Sequence, residues 1–186
     1  MGLFIKAVYL LMILAPDLNL NWLSSQDKGA FSASLPGYNN ELNACVASGL
    51  SLRLRYEFKI CTSSKFWFDD CGRIRVAVNS VEYDPISETY LVTKDFLGDV
   101  DLPISQRMEA LPRAVSEVTH ISEVKLDWID SDASHTLQQS RTGLRGRVIV
   151  ECRGDYSESV KRLSSFLSLG LIRTNEFDSD WVKFSD

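Results

Sequence analysis

Four cysteines, two histidines and a scatter of carboxylates are the residues of this 186-residue chain with chemistry to offer. The cysteines are Cys45, Cys61, Cys71 and Cys152. No two of them stand as C-x-x-C, so neither a zinc ribbon nor a thioredoxin-type redox pair is encoded. Cys61 and Cys71 bracket the segment Thr62 to Asp70. In an oxidising compartment a bridge between them would close that loop and stabilise the fold by about 3 kcal/mol on chain-entropy arithmetic. In a reducing compartment both would be ordinary buried thiols. Cys45 and Cys152 could pair as well, since spacing alone assigns no connectivity.

His120 and His135 fall in no H-E-x-x-H or i,i+4 pattern, so no zinc or iron centre is expected. Asp95, Asp99 and Asp101 lie in a Gly-containing loop and offer oxygen donors suited to calcium. They lack the alternating spacing of an EF-hand loop, and acidic turn residues need no ion. No metal and no cofactor is expected. Glycoside hydrolysis needs two carboxylates at a set distance in space, and no pair is singled out here. There is no G-x-S-x-G elbow and no glycine-rich phosphate loop. No catalytic residue is nominated. The expectation is a non-enzymatic protein-interaction module. A carboxylate-dependent hydrolase of envelope glycans and a small-ligand-binding β-barrel are the alternatives.

Two groups of residues suit recognition. Lys65, Phe66, Trp67 and Phe68 set three consecutive aromatics in a loop, either as a partner-binding tip or as core residues capping the sheet. Arg53, Arg55 and Lys59, with Arg73 and Arg75 across the loop, predict a basic stripe on an outer sheet face. Cross-strand acids or an acidic partner would answer it.

The element that must carry this stripe is plain in the sequence. Leu50, Leu52, Leu54, Tyr56, Phe58 and Ile60 occupy one parity, and Ser51, Arg53, Arg55, Glu57 and Lys59 the other. Period two over eleven residues is a strand with one packed and one wet face. A one-residue slip would expose the whole apolar set, so its register is strongly specified. Arg73–Tyr83 predicts a second strand with a bulge near Asn79, where the apolar parity changes. A turn at Asp84–Ser87 and a third strand to Asp95 follow. Met108, Leu111, Val115 and Val118 predict a helix over Ser105–Val118, kinked or restarted at Pro112. Strands are predicted at Ile121–Ile129 and Arg145–Arg153, a capped helix from Asp155 to Leu169, and a short edge strand near Val182. The whole predicts a mainly β fold, an antiparallel β-sandwich with one or two helical crossovers. An α+β sheet with helices on one face is the alternative.

Lys6 is the only charge in the first sixteen residues, and an apolar run from Ala7 to Ala15 follows it. That pattern suits a secretory leader and is short for a membrane span, which takes roughly 20 apolar residues. Residues 1–25 are read as a signal peptide or N-terminal anchor. Residues 26–40 are read as a linker, with a first strand near Gly29 to Leu35, and residues 41–186 as one β-rich domain. Export to the periplasm or envelope is expected, with the cytoplasm as alternative. Membrane contact is expected only through an uncleaved N-terminal segment. The formal charge is −5, so no basic face for nucleic acid is indicated.

The stretch Ala47-Ser48-Gly49-Leu50-Ser51-Leu52-Arg53-Leu54-Arg55-Tyr56-Glu57 carries a resemblance. So do the Trp67-containing loop, Tyr83-Asp84-Pro85-Ile86 with Glu88-Thr89-Tyr90-Leu91-Val92, Glu109-Ala110-Leu111 and Phe177-Asp178-Ser179-Asp180-Trp181. Over residues 40–184 the chain resembles a bacterial family of uncharacterised exported proteins, the domain of unknown function numbered four-three-nine-zero. The resemblance implies an envelope location and a partner linked to a membrane sensor kinase of nitrogen regulation. It carries over no functional residue, and Cys61, Cys71 and Cys152 depart from its pattern.

Overall fold

The computed structural model describes residues 18–23, 29–63, 69–98, 102–131, 142–153, 177–178 and 182–183. The alternating segment forms β3 (Ser51–Thr62), the central strand of the larger sheet. Leu52, Leu54, Tyr56, Phe58 and Ile60 are all buried, as their shared parity requires. One edge of β3 pairs along its full length with β9 (Thr142–Arg153), the other with β5 (Arg75–Asp84). The sheet continues through β6 (Thr89–Phe96) to β7 (Ile104–Met108). Two-residue strands β4 (Asp70–Cys71), β10 (Phe177–Asp178) and β11 (Val182–Lys183) pair with β3 or β9. Every pairing is antiparallel.

One face of this sheet is covered by a second layer. A three-stranded sheet, β1 (Asn19–Trp22), β2 (Ala30–Ser34) and β8 (His120–Lys125), supplies part of it. Helices α1 (Asn39–Ala47) and α2 (Leu111–Val118) and the turn-length α3 (Leu126–Ile129) supply the rest. Leu42 and Val46 of α1 and Ala114, Val115 and Val118 of α2 are buried and belong to one core cluster with β3, β5 and β9. Phe31 of β2 meets Phe58 of β3 edge-on at 5.2 Å between ring centres, which locks the small sheet onto the large one. Gly146 of β9 lies opposite Phe58, and a Cβ there would stand 3.0 Å from Leu18 and 3.2 Å from Leu20. The missing side chain leaves the room that the β1 segment fills.

Two polar side chains reach into this core and share one acceptor. The Tyr56 hydroxyl and the Asn79 side-chain amide each donate to the Val118 carbonyl at 2.9 Å, tying β3 and β5 to the last turn of α2. Burial pushes the Tyr56 phenol far above its ordinary range, so it stays a neutral donor. In the β5–β6 turn, Asp84 accepts from the Ser87 hydroxyl at 2.8 Å and the Ile86 amide at 3.0 Å. Those bonds, with Arg107 nearby, hold its carboxyl below the usual range.

The fold is mainly β, with antiparallel sheets and few helices, in keeping with the sandwich and with its α+β alternative. No sheet closes into a barrel among the described residues, so the barrel alternative loses its scaffold. Several local expectations are corrected. β5 runs through Asn79 without a register shift. The apparent change of parity arises because Val76 and Val78 lie on the outer face while Asn79 is buried on the inner one. Ser105–Met108 is strand, and the helix starts only at Leu111, with Pro112 in its first turn. The strand predicted to Ile129 stops at Lys125 and turns into α3. β2 falls where the first strand near Gly29 to Leu35 is expected. Leu18 and β1, however, come from the segment read as leader, and Leu18, Phe31 and Ala33 are core. The folded unit therefore includes residues upstream of position 41. The helix read at Asp155–Leu169 and the leader core Ala7–Ala15 lie outside the described residues.

Candidate interaction surface

The outer face of β3 carries the odd-numbered residues, and β9 supplies their neighbours by register. Arg53 faces Glu151, Arg55 faces Ile149, Glu57 faces Arg147 and Lys59 faces Arg145. Glu57 is the most buried of these, with its side chain 3% exposed. Its two carboxylate oxygens take Arg55 Nη2 at 2.9 Å and Arg147 Nε at 2.7 Å. Arg153 pairs with Glu151 at 2.8 Å, and Arg145 pairs with Asp69 beside β4. Arg53 is exposed and has no ion-pair partner among the described residues. Among the described residues, six cations of β3 and β9, Arg53, Arg55, Lys59, Arg145, Arg147 and Arg153, thus stand with Glu57, Glu151 and the adjoining Asp69, while Glu82 of β5 and Asp95 of β6 lie further across the same face.

Glu57 organises the patch. Exposed ion pairs contribute little, but this carboxylate is buried and held by two guanidinium groups. Glu57→Gln keeps the shape and leaves Arg55 and Arg147 without their shared anion. Because the arginines are 45% and 28% exposed, water takes up part of the loss. The expected cost is about 1–2 kcal/mol, read as a lowered urea midpoint at unchanged slope.

The other expected site residues fall as follows. Arg55 and Arg53 lie on the predicted face. Arg75 does not: it stands opposite Phe58, on the inner parity, and its Nε donates to the Ile129 carbonyl at 3.3 Å. Arg73 precedes β5 in the connection from β4. Cys61 and Cys71 are bonded directly across the β3–β4 pair, and Cys45 of α1 is bonded to Cys152 of β9. Two bonded pairs point to an oxidising, extracytoplasmic environment. Lys65, Phe66, Trp67 and Phe68 lie outside the described residues, as do Asp99, Asp101 and His135. Among the described residues no helix is long and apolar enough to cross a membrane, and no cluster of three metal-ligating side chains occurs.

A concavity elsewhere had no signal in the sequence. A groove of about 360 Å³ runs between the inner face of β6–β7 and the β8–α3 segment. Lys94, Phe96, Leu102, Ile104, Glu123, Lys125 and Trp128 line it, and Lys94 is ion-paired to Glu117 of α2. Trp128 stands edge-on to Phe96 at 5.2 Å, and its indole N–H has no hydrogen-bond partner among the described residues. Glu123 is the one carboxylate of this lining among the described residues. The lining residues come from separate strands and a helical turn, which only tertiary folding assembles.

No family model, curated protein or solved structure matches the chain.

Proposed function

We propose that the chain is a non-enzymatic interaction module of the bacterial envelope that presents the outer face of β3 and β9 to an acidic protein partner. The observation that carries this reading is local to the β3–β9 end of the outer face, where, among the described residues, six cations stand with Glu57, Asp69 and Glu151 in a chain whose net charge is −5. Charge of one sign gathered on a rigid face, against the sign of the whole chain, steers encounter with an oppositely charged partner and disfavours others. The apolar run after Lys6 and the two disulfides support an extracytoplasmic site of action, and the resemblance to an exported family points the same way.

Nuclear magnetic resonance titration of the oxidised protein with an oligo-glutamate peptide, and with oligo-lysine as control, tests this reading. Shifts with oligo-glutamate are expected at β3 and β9 amides, fading as salt rises from about 0.05 to 0.5 M. Arg53→Glu is expected to weaken that binding by about tenfold without unfolding, since Arg53 is exposed and has no ion-pair partner among the described residues. Shifts spread over the whole surface, or unchanged by Arg53→Glu, would overturn the reading.

A further inference from the structure

At the end of the large sheet, β7 has no strand on its outer side among the described residues, and Ile104 to Arg107 are all exposed. Natural edges are blunted by charge, bulges or cover. Of the two edges of the small sheet, β8 follows that rule with exposed Glu123 and Lys125, while the four-residue β1 is blunted by shortness alone. β7 carries one charge, Arg107, and its guanidinium is turned back onto Asp84 at 3.1 Å and the Ser87 hydroxyl at 2.8 Å. Ile104 is 66% and Leu102 86% exposed beside this edge.

The residue types along β7 are symmetric about Gln106. Pairing with β6 puts Ile104, Gln106 and Met108 on the inner face, with Ser105 and Arg107 on the outer one. We propose that β7 is a self-association edge, at which two copies of the chain join antiparallel about a dyad through Gln106. In that register Ile104 meets Met108 of the second copy, Leu102 meets Ala110, and Ser105 meets Arg107. The single inner polar residue meets its own amide, and amides donate and accept reciprocally.

Charge selects this register over its neighbours. Sliding by one step of the symmetric series centres the dyad on Arg107, which sets two guanidinium groups opposite each other and is destabilising. Sliding the other way centres it on Ser105 and sets Ile104 against Gln106. Only the Gln106 dyad pairs all five residues of both strands and covers apolar with apolar. Such a join would continue the eight-stranded sheet into its copy. It leaves the basic face of β3 and β9 open, so it is independent of the function proposed above.

Sedimentation of the oxidised full chain over a concentration series tests the edge. The wild type is expected to show a monomer–dimer equilibrium. Gln106→Lys places like charges across the dyad and is expected to weaken the dimer at least tenfold, as is Gln106→Glu. An equal mixture of the two variants is expected to recover the dimer through a Lys–Glu pair. Hydrogen exchange of the wild type, independent of any variant, is expected to slow at β7 as concentration rises. A chain that stays monomeric at every concentration overturns the proposal. So does a dimer that Gln106→Lys leaves intact, since it would join through another face.

Discussion

Phe58→Ala is expected to lower the stability of the fold by about 3–5 kcal/mol, the range for truncating a fully buried phenylalanine. Phe58 is wholly buried and touches every layer. Its ring meets Phe31 of the small sheet at 5.2 Å, Trp128 of α3 at 6.4 Å and Tyr56 of its own strand at 6.4 Å. Across β9 it has only Gly146, over which Leu18 and Leu20 pack. Removing the ring opens a cavity whose walls belong to separate strands and helices, none of which can move in without leaving its sheet register. Domains of this size are typically stable by about 5–15 kcal/mol, so the variant stands near the limit of folding. Urea titration of the oxidised protein measures it. A loss below about 1 kcal/mol would mean that the small sheet is not seated on Phe58 as described.

Loss of the Cys45–Cys152 bridge should have a comparable effect by a different route. The bridge closes a sequence separation of 107 residues. Chain-entropy arithmetic assigns such a loop about 5 kcal/mol, against about 3 kcal/mol for the ten-residue separation of Cys61 and Cys71. The effect lies mainly in the unfolded chain, so the Cys45→Ala/Cys152→Ala variant should keep its secondary structure and unfold at a clearly lower temperature. The Cys61→Ala/Cys71→Ala variant should lose less. Calorimetry of both variants and the oxidised parent checks the order. Equal losses would show that strain or residual structure outweighs loop length here.

The sequence showed β3 almost completely because burial on one face and water on the other impose strict alternation, and the strand has few exceptions to either. It showed half of the basic face for the same reason. The Arg53 and Arg55 side was legible, whereas Arg145, Arg147 and Arg153 join it only through the β3–β9 register, about ninety residues away along the chain. Arg75 was misplaced because β5 has apolar side chains on both faces, so parity alone could not tell in from out. The same ambiguity suggested a bulge at Asn79. That residue is tolerated inside because Val118, far along the chain, accepts its amide proton. β7 looked helical because a five-residue exposed edge has no buried face to impose period two, while Met108 happens to fall in step with the helix that follows. A strand near Gly29 to Leu35 was legible and is β2, whereas the four-residue β1 is too short to show a period and packs over Gly146. The groove at Trp128 exists only after two sheets and a helical turn meet.

Two disulfides, one towards each end of the β3–β9 pair, hold the fold and point to an oxidising, extracytoplasmic environment. Peptide mapping by mass spectrometry of protein recovered from its native compartment under non-reducing, alkylating conditions tests this most directly. The prediction is two linked peptides, Cys45 with Cys152 and Cys61 with Cys71, and no alkylated thiol. Four alkylated cysteines would place the chain in a reducing compartment, and exchanged partners would contradict the pairing of α1 with β9 and of β3 with β4.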